Sequence, residues 1–169
     1  MEVYDSIRTV LAVREFKNIP VPDDSIRKIL EAARLTASSR NGQPWSFIVI
    51  QSHDSLVELG SIVRSGPYTA QSAFAIAVAI EKESPYGLSD ASRAIQSMVL
   101  TAWADGIGSN WAGWVGMNAV ADYLGVPDTH DVIAVIPFGY PLKSKTQGIK
   151  RRKEFSEIVH SERFGQPFN

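Results

Sequence analysis

The hydrophobic and polar positions of the chain predict helices that alternate with short strands. Apolar residues recur at helical spacing in the segments 3–11 and 22–33. The segments 47–50, 74–80 and 132–136 are continuously apolar, which is typical of strands covered on both faces. Further helices are predicted to begin at three places, namely Asp54 or Ser55, Ser89 or Asp90, and Asn118. Together these elements predict a layered protein with helices on both faces of one sheet.

One stretch, 36–51, joins a helix end, a polar turn and a strand within a few residues. The turn reads Ser-Ser-Arg-Asn-Gly at 38–42, and Gln43, Pro44 and Trp45 lead from it into the strand. Pro44 cannot donate a backbone hydrogen bond and biases Gln43 away from helix, so the chain enters the strand extended. The residues alone leave two interpretations open: an ordinary helix-to-strand connection, or a ligand-contacting loop held by the strand behind it.

Composition excludes several classes of protein. The 169 residues fit a single domain, 1–169, and a net charge of −1 argues against a nucleic-acid binder. With no cysteine, the chain has neither disulfides nor thiolate chemistry, and the three histidines lack the spacing of metal ligands. No run is long enough to span a membrane, so we expect a cytoplasmic protein without metal, membrane or nucleic-acid partners.

Few side chains suggest chemistry of their own. Arg14, Lys150 and Arg152 are candidates for holding a phosphate, although a basic tail can also be merely solvated. No G-x-S-x-G motif pairs a serine with a histidine, and no acid, base or nucleophile stands out. The tryptophans Trp103, Trp111 and Trp114 suit either core packing or stacking on a planar ligand. If the protein is an enzyme, a bound cofactor is expected to carry the chemistry.

Four motifs follow one another over nearly the whole chain. They are VREF at 13–16, SSRNGQPW at 38–45, GIGSNWAG at 106–113, and GYP at 139–141 followed by KRR at 150–152 and EIV at 157–159. In this order they resemble the FMN-dependent nitroreductase family in its short form. The second motif matches the S-S-x-N-x-Q-P-W signature of that family and is the most specific of the four.

The resemblance implies an α+β fold with three α/β/α layers and a central mixed sheet flanked by helices. It also implies a homodimer in which a C-terminal extension reaches the partner and FMN lies at the subunit interface. NAD(P)H would reduce FMN, and a nitroaromatic, quinone or similar acceptor would then oxidise it in a ping-pong cycle. No catalytic side chain is expected, because the protein supplies position and electrostatics.

The resemblance also implies three groups of cofactor contacts. The phosphate and ribityl chain are held by Arg14, Lys150 and Arg152. The turn reaches the flavin of the other subunit through Ser38, Ser39 and Asn41. Backbone groups around Ala112 and Gly113 lie by the isoalloxazine ring.

One departure from the family pattern affects the cofactor. The family usually has R-R-S or R-H-S where this chain has Val10, Leu11 and Ala12. A charge-assisted hydrogen bond contributes about 1.5–3 kcal/mol, so its loss predicts roughly ten- to a hundredfold weaker FMN binding. Arg8 and Arg151 are alternative sources of charge, and another flavin form is an alternative ligand.

Two other functions fit the same resemblance. One is a flavin-binding protein of this fold without turnover, and the other is a related flavin enzyme, such as a dehalogenase, an azoline dehydrogenase or a flavin-fragmenting enzyme.

Overall fold

The computed structural model describes residues 1–143 and 150–168, and a four-stranded sheet lies at its centre. The strands are β1 (Trp45–Ile50), β2 (Phe74–Glu81), β3 (Gly108–Ser109) and β4 (His130–Gly139). Their order is β1-β2-β4-β3, and each pairing between them is antiparallel. A bridge between Ala12 and Ser109 adds a parallel pairing beside β3, so the described sheet is mixed at this edge.

Six α-helices lie within the described residues. They are α1 (Val3–Thr9), α2 (Asp23–Arg34), α3 (His53–Ile62), α4 (Gly87–Ala104), α5 (Met117–Leu124) and α6 (Phe155–Ile158). Two short 3-10 turns, Ser39–Asn41 and Pro67–Gln71, connect helices to strands. The sheet thus has helices before and after each long strand, as the alternating pattern predicts.

Strand β2 is apolar on both faces because helices cover both sides of the sheet. Phe74, Ile76 and Val78 pack in one core with α2 and α4, where Phe74 stacks on Phe138 of β4 with a centroid separation of 4.9 Å. Ala75, Ala77 and Ala79 pack in a second core with α3 and α5. The predicted layering, with one sheet between two helical layers, is confirmed.

Three predicted helix starts are wrong by a few residues. Helix α3 is capped by Ser52, whose side chain accepts from the Ser55 N–H at 3.2 Å, and α5 begins after Gly116, which has a φ of 89°. Helix α4 begins at Gly87, where a Cβ would lie 3.2 Å from the Ile80 side chain. Asp90 therefore lies inside the first turn of α4 and does not cap it.

Helices α2 and α4 approach closely because small residues line their contact. Ala33 of α2 and Ala91, Ala94 and Ala102 of α4 are fully buried there. The Lys28 ammonium pairs with the Asp105 carboxylate at 2.8 Å, and the Thr36 hydroxyl donates to the Ser97 hydroxyl at 2.8 Å. Helix α4 is therefore held along its length against the rest of the chain.

The C-terminal tail leaves its apolar side chains exposed. The Phe155, Ile158, Phe164 and Phe168 side chains are all more than half exposed, although Phe155 and Phe168 contact each other edge-to-face at 6.1 Å. The tail thus does not bury these side chains against its own domain, and the predicted crossing to a partner subunit stays a prediction. Within 1–143 and 150–168, no helix is both long enough and apolar enough to cross a membrane.

Candidate functional site

The polar turn at 38–42 adopts a strained backbone. Arg40, Asn41 and Gln43 have φ values of 54°, 55° and 50°, a region that side-chain-bearing residues adopt at a cost of about 1–3 kcal/mol each. The Ser38 hydroxyl accepts from the Gln43 N–H at 3.0 Å and closes the turn. The Asn41 side chain is exposed, and the Gln43 amide donates weakly to its oxygen at 3.4 Å. A plain connection would not need this conformation, so the turn is a candidate site.

A buried carboxylate anchors the turn to the first turn of α4. Asp90 is fully buried, and its two oxygens accept from the Ser39 N–H at 2.9 Å and from the Ser39 hydroxyl at 3.0 Å. The Arg93 guanidinium also donates to this carboxylate. Burial acts to raise the pKa of Asp90, but the Ser39 and Arg93 donors outweigh it and hold the pKa below its usual value. Asp90 therefore stays ionised and holds Ser39.

A group of positive charges lies at the end of α1. The Lys150 ammonium donates to the Ile7 carbonyl at 2.6 Å, which places the tail beside the last turn of α1. Burial lowers the pKa of Lys150, and the positive charges of Arg152 and Arg8 lower it further. Among the described residues, no carboxylate lies within ion-pair distance of Lys150 or Arg152. An anion would stabilise this cluster.

The Arg14 segment runs beside β3. The Val13 N–H donates to the Ser109 carbonyl at 2.9 Å, and a Cβ on Gly108 would lie 2.4 Å from the Val13 side chain. Gly108 is therefore required for this close approach. The next residue, Arg14, is exposed and makes no ion pair with any part of the chain that the structure describes. The arginine motif and the glycine-rich motif thus meet at one edge of the sheet.

Ala112 and Gly113, which follow β3, differ in the hydrogen bonds of their backbone. Ala112 is buried, and both its N–H and its carbonyl bond to Val135, at 3.0 and 2.8 Å. Gly113 differs, since its carbonyl accepts from the Ser65 hydroxyl at 2.9 Å while its N–H has no acceptor among residues 1–143 and 150–168. A Cβ on Gly113 would lie 2.9 Å from the Trp111 indole nitrogen. The segment can therefore donate to a ligand through Gly113 and not through Ala112.

The turn at 38–42 and the basic cluster, formed by Lys150, Arg152 and Arg8, lie at opposite ends of α4. Asp90 holds the turn at the first end, and the Trp103 indole N–H donates to the Thr9 hydroxyl of α1 at 2.9 Å at the other. At 1.5 Å per residue, Asp90 and Trp103 are separated by about 20 Å of helix. Within one chain, the turn and the basic cluster are therefore far apart.

The sequence and the fold were compared with those of known proteins. The family model described as the nitroreductase family matches residues 8–74 and 65–140. A protein of Archaeoglobus fulgidus, provisionally named an NADH dehydrogenase/NAD(P)H nitroreductase, is 32% identical over 85% of this chain and 88% of its own. The chain belongs to the nitroreductase family.

Two solved structures of this family share the fold. A provisionally named NADH dehydrogenase/NAD(P)H nitroreductase from Bacteroides thetaiotaomicron has a TM-score of 0.88 at 26% identity, covering 96% of this chain and 98% of its own. An FMN-dependent nitroreductase from Clostridium difficile has a TM-score of 0.87 at 25% identity, covering 94% and 98%. The α+β nitroreductase fold predicted from the four motifs is confirmed.

The cofactor contacts predicted for a member of the nitroreductase family fall into two groups in this structure. Lys150 contacts the last turn of α1, and Arg152 lies close enough to Lys150 to lower its pKa. Arg14 follows Val13, which bonds to Ser109 of β3, and the same strand leads on to Ala112 and Gly113. The turn residues Ser38, Ser39 and Asn41 lie at the other end of α4. No described contact joins the two groups, and the role of each residue stays a prediction.

Sequence reasoning missed two contacts near the site. Tyr68 lies in the second 3-10 turn, and its hydroxyl accepts from the Asn110 amide at 2.5 Å. The pattern of apolar residues does not signal this contact, because it joins two loops that are distant in the sequence. Trp111 and Trp114, which the sequence named as candidates for stacking on a planar ligand, are 40% and 93% exposed. Asp90 was assigned to a helix start, although its contact with Ser39 spans 51 residues.

Gly66 allows the second 3-10 turn to contact the segment after β3. A Cβ on Gly66 would lie 2.5 Å from the Ala112 side chain. We expect Gly66→Ala to lower the free energy of unfolding by about 1–3 kcal/mol through overpacking. Adding Ala112→Gly should relieve the clash, so urea unfolding of the double variant should show less destabilisation than the sum of the two single variants. Additive losses would contradict the contact.

Proposed function

We propose that the protein is an FMN-dependent NAD(P)H oxidoreductase of the nitroreductase type. The observation that carries the proposal is the cluster of Lys150 and Arg152, which no carboxylate of the described residues neutralises. The Gly113 N–H, which has no acceptor among the described residues, is a second group that a ligand could use. Such an arrangement suits a cofactor that brings a phosphate and performs the chemistry itself. The names of the relatives, which include NAD(P)H nitroreductase and FMN-dependent nitroreductase, support this assignment.

The basic cluster fits the phosphate of FMN. Lys150 offers an ammonium, and Arg152 and Arg14 each offer a planar fork of donors that suits phosphate oxygens. Arg8 is close enough to Lys150 to lower its pKa and supplies further charge where Val10, Leu11 and Ala12 replace the usual family motif. The negative charge of a bound phosphate would offset the mutual repulsion of these cations. The expected weakening of FMN affinity is therefore partly offset by Arg8.

The segment after β3 fits the isoalloxazine ring. The free N–H of Gly113 is a donor for a ring nitrogen, and Ala112 keeps this donor in place through its two bonds to Val135. Ser65, which donates to the Gly113 carbonyl, fixes the following peptide unit. Trp111 and Trp114 lie exposed next to this donor and suit the stacking of planar acceptors. The segment thus offers a backbone donor together with aromatic surface.

A homodimer would bring the two groups of contacts together. We propose that the turn formed by Ser38, Ser39 and Asn41 of one chain lies against the flavin held by Arg14, Lys150 and Arg152 of the other, with Asn41 as the side chain that faces the flavin. The separation of about 20 Å along α4 supports this arrangement, because a two-fold axis can place the turn of one chain beside the basic cluster of its partner.

Apolar surface near the basic cluster supports the same dimer. Val3, Tyr4 and Ile7 of α1 are exposed, and so is the apolar side of the tail that begins at Lys150. These side chains would be buried between subunits.

In this site FMN would supply two-electron chemistry, taking a hydride from NAD(P)H and delivering it to a nitroaromatic, quinone or similar acceptor. The chain's own residues bind and orient the cofactor and leave one pocket for the two substrates in turn, which implies ping-pong kinetics. The single domain and the cytoplasmic location expected from the sequence stay predictions.

The visible spectrum and the reduction of the purified protein test the proposal. We expect flavin bands after addition of FMN, rapid bleaching by NADH or NADPH without oxygen, and return of the bands when a nitroaromatic or quinone is added. Absence of FMN binding would overturn the proposal. Flavin that binds but resists both nicotinamides would instead support a binding protein without turnover.

Removal of the basic cluster should weaken FMN more than riboflavin, which lacks the phosphate. Lys150→Ala and Arg152→Ala should each raise the Kd for FMN by roughly ten- to a hundredfold, because each removes a charge-assisted hydrogen bond. Their effect on riboflavin should be small. Quenching of flavin fluorescence gives both constants, and Lys153→Ala in the same exposed tail is the control. Equal losses for FMN and riboflavin would contradict a phosphate site.

A further inference from the structure

The sequence resemblance assigns Ser39 a contact with the flavin, but the structure commits its polar groups elsewhere. The Ser39 N–H and hydroxyl both donate to Asp90, at 2.9 and 3.0 Å. A hydroxyl has one proton to donate, so the Ser39 hydroxyl keeps only acceptor capacity for a ligand. Neither Asp90 nor Arg93 belongs to the four family motifs recognised in the chain.

The carboxylate of Asp90 is placed for this contact and for little else. Its side chain is fully buried, and it accepts from the backbone and hydroxyl of Ser39 and from Arg93 one helical turn further along α4. A buried carboxylate is tolerated when its lone pairs are satisfied in this way. Asp90 therefore has no free oxygen to offer a substrate, and it acts through Ser39.

The turn that Asp90 holds needs an anchor. Arg40, Asn41 and Gln43 are all in the left-handed region without being glycine, which is unfavourable for each of them. Besides the Asp90 contact, the bond from the Gln43 N–H to the Ser38 hydroxyl and the position of the Arg40 guanidinium 6.0 Å over the Tyr86 ring restrain the turn. Tyr86 and Asp90 lie at the start of α4, so the Arg40–Tyr86 and Ser39–Asp90 contacts depend on the same helix end.

We propose that Asp90, assisted by Arg93, is a positioning residue that holds the 38–43 turn in its flavin-binding conformation before the cofactor arrives. The inference rests on the proposed function for the identity of the ligand. Ser39 transmits the restraint, and Asn41 is the side chain that the turn presents to the flavin. Preorganisation of this kind lowers the ordering cost of binding and so raises affinity.

The first test is a double-mutant cycle on FMN affinity. Asp90→Ala should raise the Kd for FMN by roughly ten- to a hundredfold, and Ser39→Ala, which keeps the N–H donor, by less. The double variant should be no weaker than Asp90→Ala, because both changes break one interaction. Additive losses, or a loss on Ser39→Ala without one on Asp90→Ala, would overturn the proposal in favour of direct flavin contact by Ser39.

A matched control distinguishes loss of the turn's anchor from general damage to α4. Asp105→Ala removes an aspartate from the other end of α4, where it pairs with Lys28 at 2.8 Å. This variant should leave the Kd for FMN unchanged. Asp90→Asn, which keeps the shape and one acceptor, should recover part of the affinity and covers the case in which Asp90→Ala does not fold. An unchanged Kd in both Asp90 variants would contradict the proposal.

The second test needs no cofactor. Hydrogen exchange of the free protein should show the Asn41 and Gly42 amides, which donate to the Ser38 and Ser39 carbonyls, protected in the wild type. Asp90→Ala should lose this protection, and Asp90→Asn should lose only part of it. The β2 amides should stay protected in every variant, and the Asp105→Ala variant should keep the protection of the Asn41 and Gly42 amides. Equal protection in all variants would overturn the positioning role. If the wild type fails to bind FMN but the exchange pattern holds, the proposed cofactor is wrong and the anchor is right.

Discussion

Helix α4 determines how far apart the two halves of the candidate site lie. One face of the helix is buried against α2 and the sheet, and its rise of 1.5 Å per residue leaves little freedom between its ends. The turn that contains Asn41 is fixed to the first end through Asp90, and α1, which contacts Lys150, is fixed to the other through Trp103. A cofactor that needs both groups is therefore most simply bound between two chains.

The two ends of α4 handle charge in opposite ways. At the first end a buried carboxylate is fully satisfied by donors, so it serves as a rigid internal anchor. At the other end Lys150 and Arg152 repel each other without a carboxylate among the described residues, so they favour an external anion. The first arrangement stabilises backbone geometry, and the second prepares a binding site. Neither places a general acid or base, which agrees with chemistry carried by a cofactor.

The fold follows from the sequence pattern to a large extent. The three apolar runs become β1, β2 and β4. The inner strands β2 and β4 are buried on both sides and so show no alternation, whereas β1 lies at the edge of the sheet and its Phe47, Ile48 and Val49 are half-buried. The pattern misplaced the start of α4, since Gly87 begins it without a side-chain cap and a polar Asp90 in its first turn looks like a cap. Helix propensity cannot reveal that this aspartate bonds to Ser39, 51 positions earlier.

The site is less accessible to sequence reasoning than the fold. The ordered motifs identified the segments around Ser39, Gly113 and Lys150. They did not reveal which atoms of these segments are available to bond to a ligand. The structure distinguishes Gly113, whose N–H is available, from Ala112, whose N–H is paired with Val135. It also distinguishes Ser39, which is committed to Asp90, from the exposed Asn41. These differences depend on contacts between distant segments, which no local pattern records.

Mixing two defective subunits tests most directly whether one flavin is shared between two chains. Arg14→Ala and Asn41→Ala lie in different halves of the site, so each homodimer should bind FMN weakly at both sites. In a mixed dimer one site carries both changes and the other carries neither. Titration of separately tagged, co-purified mixed dimers should therefore show one site per dimer with wild-type affinity. If mixed dimers bind FMN as weakly as the two parents, both halves of the site belong to the same chain and the account is wrong.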